Sequence, residues 1–149
     1  MEAINIIAKR FYFLSLLMII ITSCQNYERI KNSDEDIYEG KNITNKFYRN
    51  IVNNDTTKLF DLVDSLSINK KEFKNLLIEK NKNIGLPYKI DIGEVETTKD
   101  FKNGKLEKIE YKINATVHYK DATNIETIGF IENENGETLL FSYYFKPLH

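Results

Sequence analysis

The sequence predicts an α+β domain, with N-terminal amphipathic helices packed on one face of a curved four-stranded antiparallel meander. Three observations carry this. Apolar residues recur at helical spacing up to about residue 84, and at a spacing of two from Tyr88 onward. The turn formers Asn103-Gly104 and Asn133-Glu134-Asn135-Gly136 divide the alternating region. Helices followed by strands, rather than mixed with them, is the α+β order.

The first helix is expected from Asp34 to Val52. Ser33 supplies a cap, and Asp34, Glu35 and Asp36 suit the positive end of the helix dipole. Ile37, Thr44, Phe47, Tyr48, Ile51 and Val52 form its stripe, which Gly40 weakens. Asn53-Asn54-Asp55 interrupts the pattern, and Asp55 caps a second helix with Leu59, Phe60, Leu62, Val63 and Leu66 on its buried side. Asn69 with Glu72 three residues on is a capping-box-like start to a third helix. Phe73, Leu76 and Leu77 line that helix, and Gly85 and Pro87 end it.

The first strand covers about Tyr88 to Phe101, with a β-bulge at Gly93 where the apolar parity flips. In the second, Ile109, Tyr111, Ile113, Ala115, Val117 and Tyr119 alternate with polar residues, the pattern of a half-buried antiparallel strand. A third is expected over about Ile125 to Glu132. A fourth follows over about Glu137 to Lys146, with Leu139, Phe141, Tyr143 and Phe145 on one face. The helix stripes and one sheet face must cover each other, since neither buries its apolar side alone. This layout, over residues 34–149, resembles small cystatin-like or nuclear-transport-factor-2-like domains. The likeness is of fold and carries little functional weight.

The first 24 residues carry a different message. Lys9-Arg10 is a basic start, Phe11 to Thr22 an apolar run, and Ile21-Thr22-Ser23-Cys24 follows the order aliphatic, small, small, cysteine. Twelve helical residues span about 18 Å against about 30 Å of hydrocarbon, so a cleaved export signal fits better than a membrane-spanning helix. The segment resembles the signal and lipobox of bacterial lipoproteins. That resemblance implies cleavage between Ser23 and Cys24 and lipidation of Cys24, placing the chain in a bacterial cell envelope. Gln25 is not the aspartate that retains enterobacterial lipoproteins in the inner membrane, which leans toward an outer membrane where the cell has one. The expected organisation is a signal peptide over 1–23, a tether over 24–33 and one domain over 34–149.

Removing residues 1–23 takes Glu2, Lys9 and Arg10 from totals of 22 acidic and 21 basic residues, which leaves a net charge of −2. That balance argues against nucleic acid as a partner. Cys24 is the only cysteine, so a lipidated chain has no thiol left for a disulfide, and the domain must rely on its core.

No catalytic residues and no metal ligands are assigned. His118 is expected on a solvated strand face, and Asp34 to Asp36, Asp61 and Asp64 on solvated helix sides. Tyr48 is the best-placed tyrosine for an isomerase-type site, with core packing as the plainer account. No cofactor is implied. Ile128 and Phe130 are expected to face away from Ile125 and Ile131, and Leu140 and Tyr144 to oppose the main apolar face of the last strand. Ile128, Phe130, Leu140 and Tyr144 are therefore expected to form an interface on the sheet face away from the helices, toward a protein partner or a second copy. The functional expectation is a membrane-tethered, non-catalytic interaction or accessory domain. The alternatives are a small-ligand binder with a helix–sheet pocket and, third, an isomerase-type enzyme.

Overall fold

The computed structural model describes residues 26–148. Five antiparallel strands form one open sheet in sequence order, β1 (Tyr27–Lys31), β2 (Pro87–Lys102), β3 (Lys105–Tyr119), β4 (Thr123–Asn133) and β5 (Thr138–Leu148). Between β1 and β2 come three helices, α1 (Asp34–Val52), α2 (Thr56–Asp61) and α3 (Lys70–Ile84). The class is α+β as expected, but the sheet has one strand more. Tyr27–Lys31 was expected in the tether over 24–33. It pairs along the far end of β2 instead, from Tyr27 opposite Lys102 to Lys31 opposite Thr98.

Every residue of β1 is exposed, so periodicity could not reveal it. It is held by polar groups. The Arg29 guanidinium binds both oxygens of Asp100, at 2.7 and 3.0 Å. Asn32, with φ of 53°, turns the chain into α1, and its Oδ1 accepts the Thr97 N–H at 2.8 Å. Glu28, Arg29 and Lys31 put charge along the open edge, which discourages edge-to-edge pairing.

The helix boundaries follow the capping chemistry. Ser33 Oγ accepts the Asp36 N–H, Asp55 the Lys58 N–H, and Asn69 Oδ1 the N–H groups of Lys71 and Glu72. Gly85, with φ of 83°, closes α3. Gly40 does more than weaken its helix. A Cβ there would stand 2.9 Å from Val95 Cγ1 and 3.2 Å from the Tyr111 ring, so glycine lets α1 lie close on the sheet. Asp36 also departs from expectation. It is buried and pairs with Lys99 of β2 at 2.7 Å. Leu66, expected on the buried side of α2, lies beyond that helix and is fully exposed.

The core forms between the helices and the inner sheet face. One row across that face runs Val95, Ile113, Ile128, Tyr143, and the next runs Thr97, Tyr111, Phe130, Leu140. Phe47 of α1 packs on Phe130 at 5.8 Å and on Tyr143 at 5.9 Å between ring centroids. Asn103 and Gly104 both have positive φ, as a type I′ hairpin requires. The bulge expected at Gly93 is present as a register shift between Ile92 and Val95.

The proposed outer interface is overturned for three of its four residues. Ile128, Phe130 and Leu140 are completely buried in the core, and Tyr144 alone is exposed on the outer face. Two features inverted the reading. Asn124 and Glu126 share the parity of Ile128 and Phe130, which made the inner face of β4 look wet. In β5 an additional bulge at Phe141, opposite Gly129 and Phe130, switches the inner side from Tyr143 to Leu140. Leu139 and Phe141 are therefore outer residues, not core ones, and Phe141 covers Gly129, where a Cβ would come within 2.8 Å of its ring.

Phe130→Ala should cost about 3–5 kcal/mol in urea denaturation, as large-to-small core changes do. Tyr144→Ala should stay within about 0.5 kcal/mol. Equal losses would contradict this register.

The Arg29–Asp100 pair predicts a behaviour in acid. The guanidinium, through its hydrogen bonds, holds the Asp100 carboxyl down to about 2. Its folded value lies below the unfolded one, so its contribution is present above the ordinary carboxylate range and lost as pH falls through about 2. Between about pH 4 and 2, melting temperature should fall less steeply in Asp100→Asn than in the parent chain.

Candidate functional site

A polar cluster lies where α1, α3 and the sheet meet. Glu126 of β4 is at its centre, completely buried on the inner face between Ala115 and Phe145. Its carboxylate accepts four hydrogen bonds. Tyr48 of α1 donates to Oε2 at 2.9 Å, and Tyr143 of β5 donates to the same oxygen. Tyr119 of β3 donates to Oε1 at 2.5 Å, and Lys80 of α3 donates to it at 2.6 Å. Lys80 Nζ also donates to the Tyr143 hydroxyl and lies 4.8 Å from the Tyr119 ring centroid and 5.1 Å from those of Tyr143 and Phe145.

The electrostatics follow from burial and from the carboxylate. Burial, then the Glu126 charge, pushes the hydroxyls of Tyr48, Tyr119 and Tyr143 far above the ordinary phenol range. They remain protonated donors. Burial lowers the Lys80 ammonium from its ordinary value, and Glu126 opposes that shift. The ion pair is compensated in charge, and the carboxylate half of it is saturated in hydrogen bonds.

A cleft of about 230 Å³ adjoins the cluster. Its walls are Leu76 and Ile84 of α3, Ala122, and Phe145 and Pro147 of β5, with Lys80 and Asn124 among its polar lining. Asn124 is 1% exposed, and its Nδ2 has no hydrogen-bond partner among the described residues. On the other side of Leu76 a wider hollow of about 370 Å³ is lined by Ser67, Asn69, Phe73 and Tyr143.

Ser23 and Cys24 lie outside the described residues. Tyr48 is a core tyrosine, and its hydroxyl reaches Glu126 rather than the edge of the core. His118 is half-buried on the outer face, 3.0 Å from Asp91. Asp61 is exposed, and Asp64 is tied to Leu66 N–H and Ser67 Oγ. Sequence reasoning missed Glu126, Lys80 and Asn124. Lys80 stands three residues after Leu77 on the apolar stripe of α3, and Asn124 and Glu126 continue the two-residue period of Ile128 and Phe130. A charge on an apolar period was the available signal. No protein-family model, curated protein or solved structure gave a significant match to the chain.

The two halves of the ion pair should not be equivalent. Glu126→Gln leaves the buried Lys80 ammonium without its counterion and should cost about 3–5 kcal/mol. Lys80→Met leaves Glu126 with three phenol donors and should cost less. Urea denaturation of both variants at neutral pH checks the order. A larger loss for Lys80→Met would mean that the tyrosines do not sustain the carboxylate.

Proposed function

We propose that this chain is an exported, lipid-anchored accessory domain of a bacterial cell envelope that works by binding rather than by catalysis. The saturation of Glu126 is the observation that supports binding over chemistry. An isomerase-type site needs a free carboxylate base and a tyrosine donor facing an apolar pocket. Here carboxylate and tyrosines meet, but they satisfy one another inside the core. No lone pair of Glu126 is left to take a substrate proton.

The anchor is Cys24, and the fold supports a short one. The Asn26 carbonyl accepts the Asn103 N–H at 2.8 Å, which ties the start of the domain to the β2–β3 turn. Two residue steps from Cys24 to Asn26 reach at most about 7 Å. The sheet end carrying that turn then stands next to the lipid. The cleft lined by Ala122, Asn124 and Pro147 lies at the other end, about 30 Å along β4 from Asn133. A second reading, a small-ligand binder, is favoured by this cleft. Its ligand would arrive from the aqueous side.

Cys24→Ser should release the protein from the membrane fraction or leave an uncleaved precursor. Mass spectrometry of the native protein should find a lipid-modified N-terminal cysteine. A mature protein beginning elsewhere, with Cys24 unmodified, would sink the anchored reading.

A further inference from the structure

We infer that the groove between α3 and the open edge of β5 receives an extended basic segment of a partner protein, which joins the sheet as a sixth strand. The inference rests on the reading of this domain as one that binds, and it names the partner's chemistry. An edge, two hollows and a charged rim carry it.

β5 ends the strand order, and only part of its edge is covered. Leu140 gives its N–H to Leu62 and accepts that of Asp64, so its backbone groups point away from β4. The bulge at Phe141 passes that orientation to Tyr143, and alternation carries it to Phe145 and Pro147. Pro147 agrees, since a proline sits in an edge strand with its nitrogen facing off the sheet. The N–H and C=O groups of Tyr143 and Phe145 therefore point off the sheet, and none has a backbone partner there among the described residues. From Thr138 to Phe145 no side chain is charged, in contrast to Glu28, Arg29 and Lys31 at the other edge. An unpaired edge without charge is a template for another strand.

The groove beside this edge has pockets at strand spacing. The hollow lined by Ser67, Phe73 and Leu76 reaches β5 at Tyr143. The cleft lined by Leu76 and Ile84 reaches it at Phe145 and Pro147, with Leu76 as the divide. Tyr143 to Pro147 is four residue steps, about 13 Å. A strand laid beside them directs alternate side chains into one hollow and then the other. Main-chain bonds to an edge, with pockets for alternate side chains, are the two parts of recognition by strand addition.

The rim sets the charge. Glu72 borders the hollow and Glu79 the cleft, about 10 Å apart along α3. Both are exposed, and neither is in an ion pair among the described residues. Lys80 is already matched by Glu126 at 2.6 Å. Lys146 alternates with Phe145 and Pro147, which puts it on the outer face, away from α3. The unmatched charge of the groove is thus negative. The segment that fits has apolar residues at every second position, flanked by lysine or arginine.

The test uses the full chain in lipid nanodiscs and the capped peptide Lys-Val-Thr-Val-Thr-Val-Lys, followed by NMR. In the free chain the Tyr143 and Phe145 amides should exchange with deuterium at least about tenfold faster than those of Tyr144 and Lys146, which face β4. Saturating peptide should slow Tyr143 and Phe145 at least about tenfold and shift the Leu76 and Ile84 methyls. N-methylation of one alternate set of peptide residues should abolish binding, the valines for antiparallel addition or the threonines for parallel, while the other set tolerates it. A peptide with glutamate for both lysines should bind at least about tenfold more weakly. Glu79→Lys and Glu72→Gln should each shrink that preference. Slow exchange of Tyr143 and Phe145 in the free chain would overturn the inference, because the edge would not be open. Binding that leaves their exchange fast, or that ignores the parity of N-methylation, would overturn it and leave the binding reading standing. Equal binding of the acidic peptide would overturn the assigned chemistry. No saturable binding would overturn the inference, whereas the anchored reading falls separately, on an unmodified Cys24.

Discussion

The Glu126 carboxylate is the point on which the assembly of this domain turns. Its four donors come from α1, α3, β3 and β5, so one side chain of β4 ties two helices and two neighbouring strands together. A buried carboxylate is tolerable only when hydrogen-bond donors arrive to satisfy it. Displacing α3 would strand both Glu126 and Lys80. The cluster is therefore better understood as a device for fixing where α3 sits than as a source of net stability, since buried ion pairs rarely outperform apolar packing.

The sheet uses irregularity for a related purpose. Bulges, among them one after Ile92 and one at Phe141, reset which residues face inward. The second brings Leu140 under the helices, where it exchanges backbone hydrogen bonds with the α2–α3 connection, giving its N–H to Leu62 and receiving that of Asp64. This contact covers part of the β5 edge. At the opposite edge, β1 is stitched on by the Arg29–Asp100 pair and by Asn32. Helix, loop and edge strand thus limit what the open sheet presents to other chains.

These constraints give the domain two different ends. The β2–β3 turn, bonded to Asn26, belongs to the start of the domain and to the proposed anchor. The other end, where α3 stops at Gly85 and β3 turns into β4, holds the cleft. The Glu126 cluster adjoins that cleft through Lys80, so the group that positions α3 also shapes the cleft wall.

The sequence determined by itself the elements whose signals are local. Capping side chains marked the ends of α1 and α3, Asn103-Gly104 marked a hairpin, and the unbroken alternation of β3 set its face. The apolar run from Phe11 to Thr22 ahead of Cys24 gives only an expectation of address, on residues outside the described ones. Tertiary structure alone decided the rest. A fully exposed β1 has no apolar period, because polar pairs to β2 hold it. The inner face of β4 was illegible because Asn124 and Glu126 are polar. A polar side chain can face a core only when partners distant in sequence satisfy it, as Tyr48 and Lys80 satisfy Glu126 from 78 and 46 residues away. Burial of charge depends on the whole assembled surround, which no local pattern encodes.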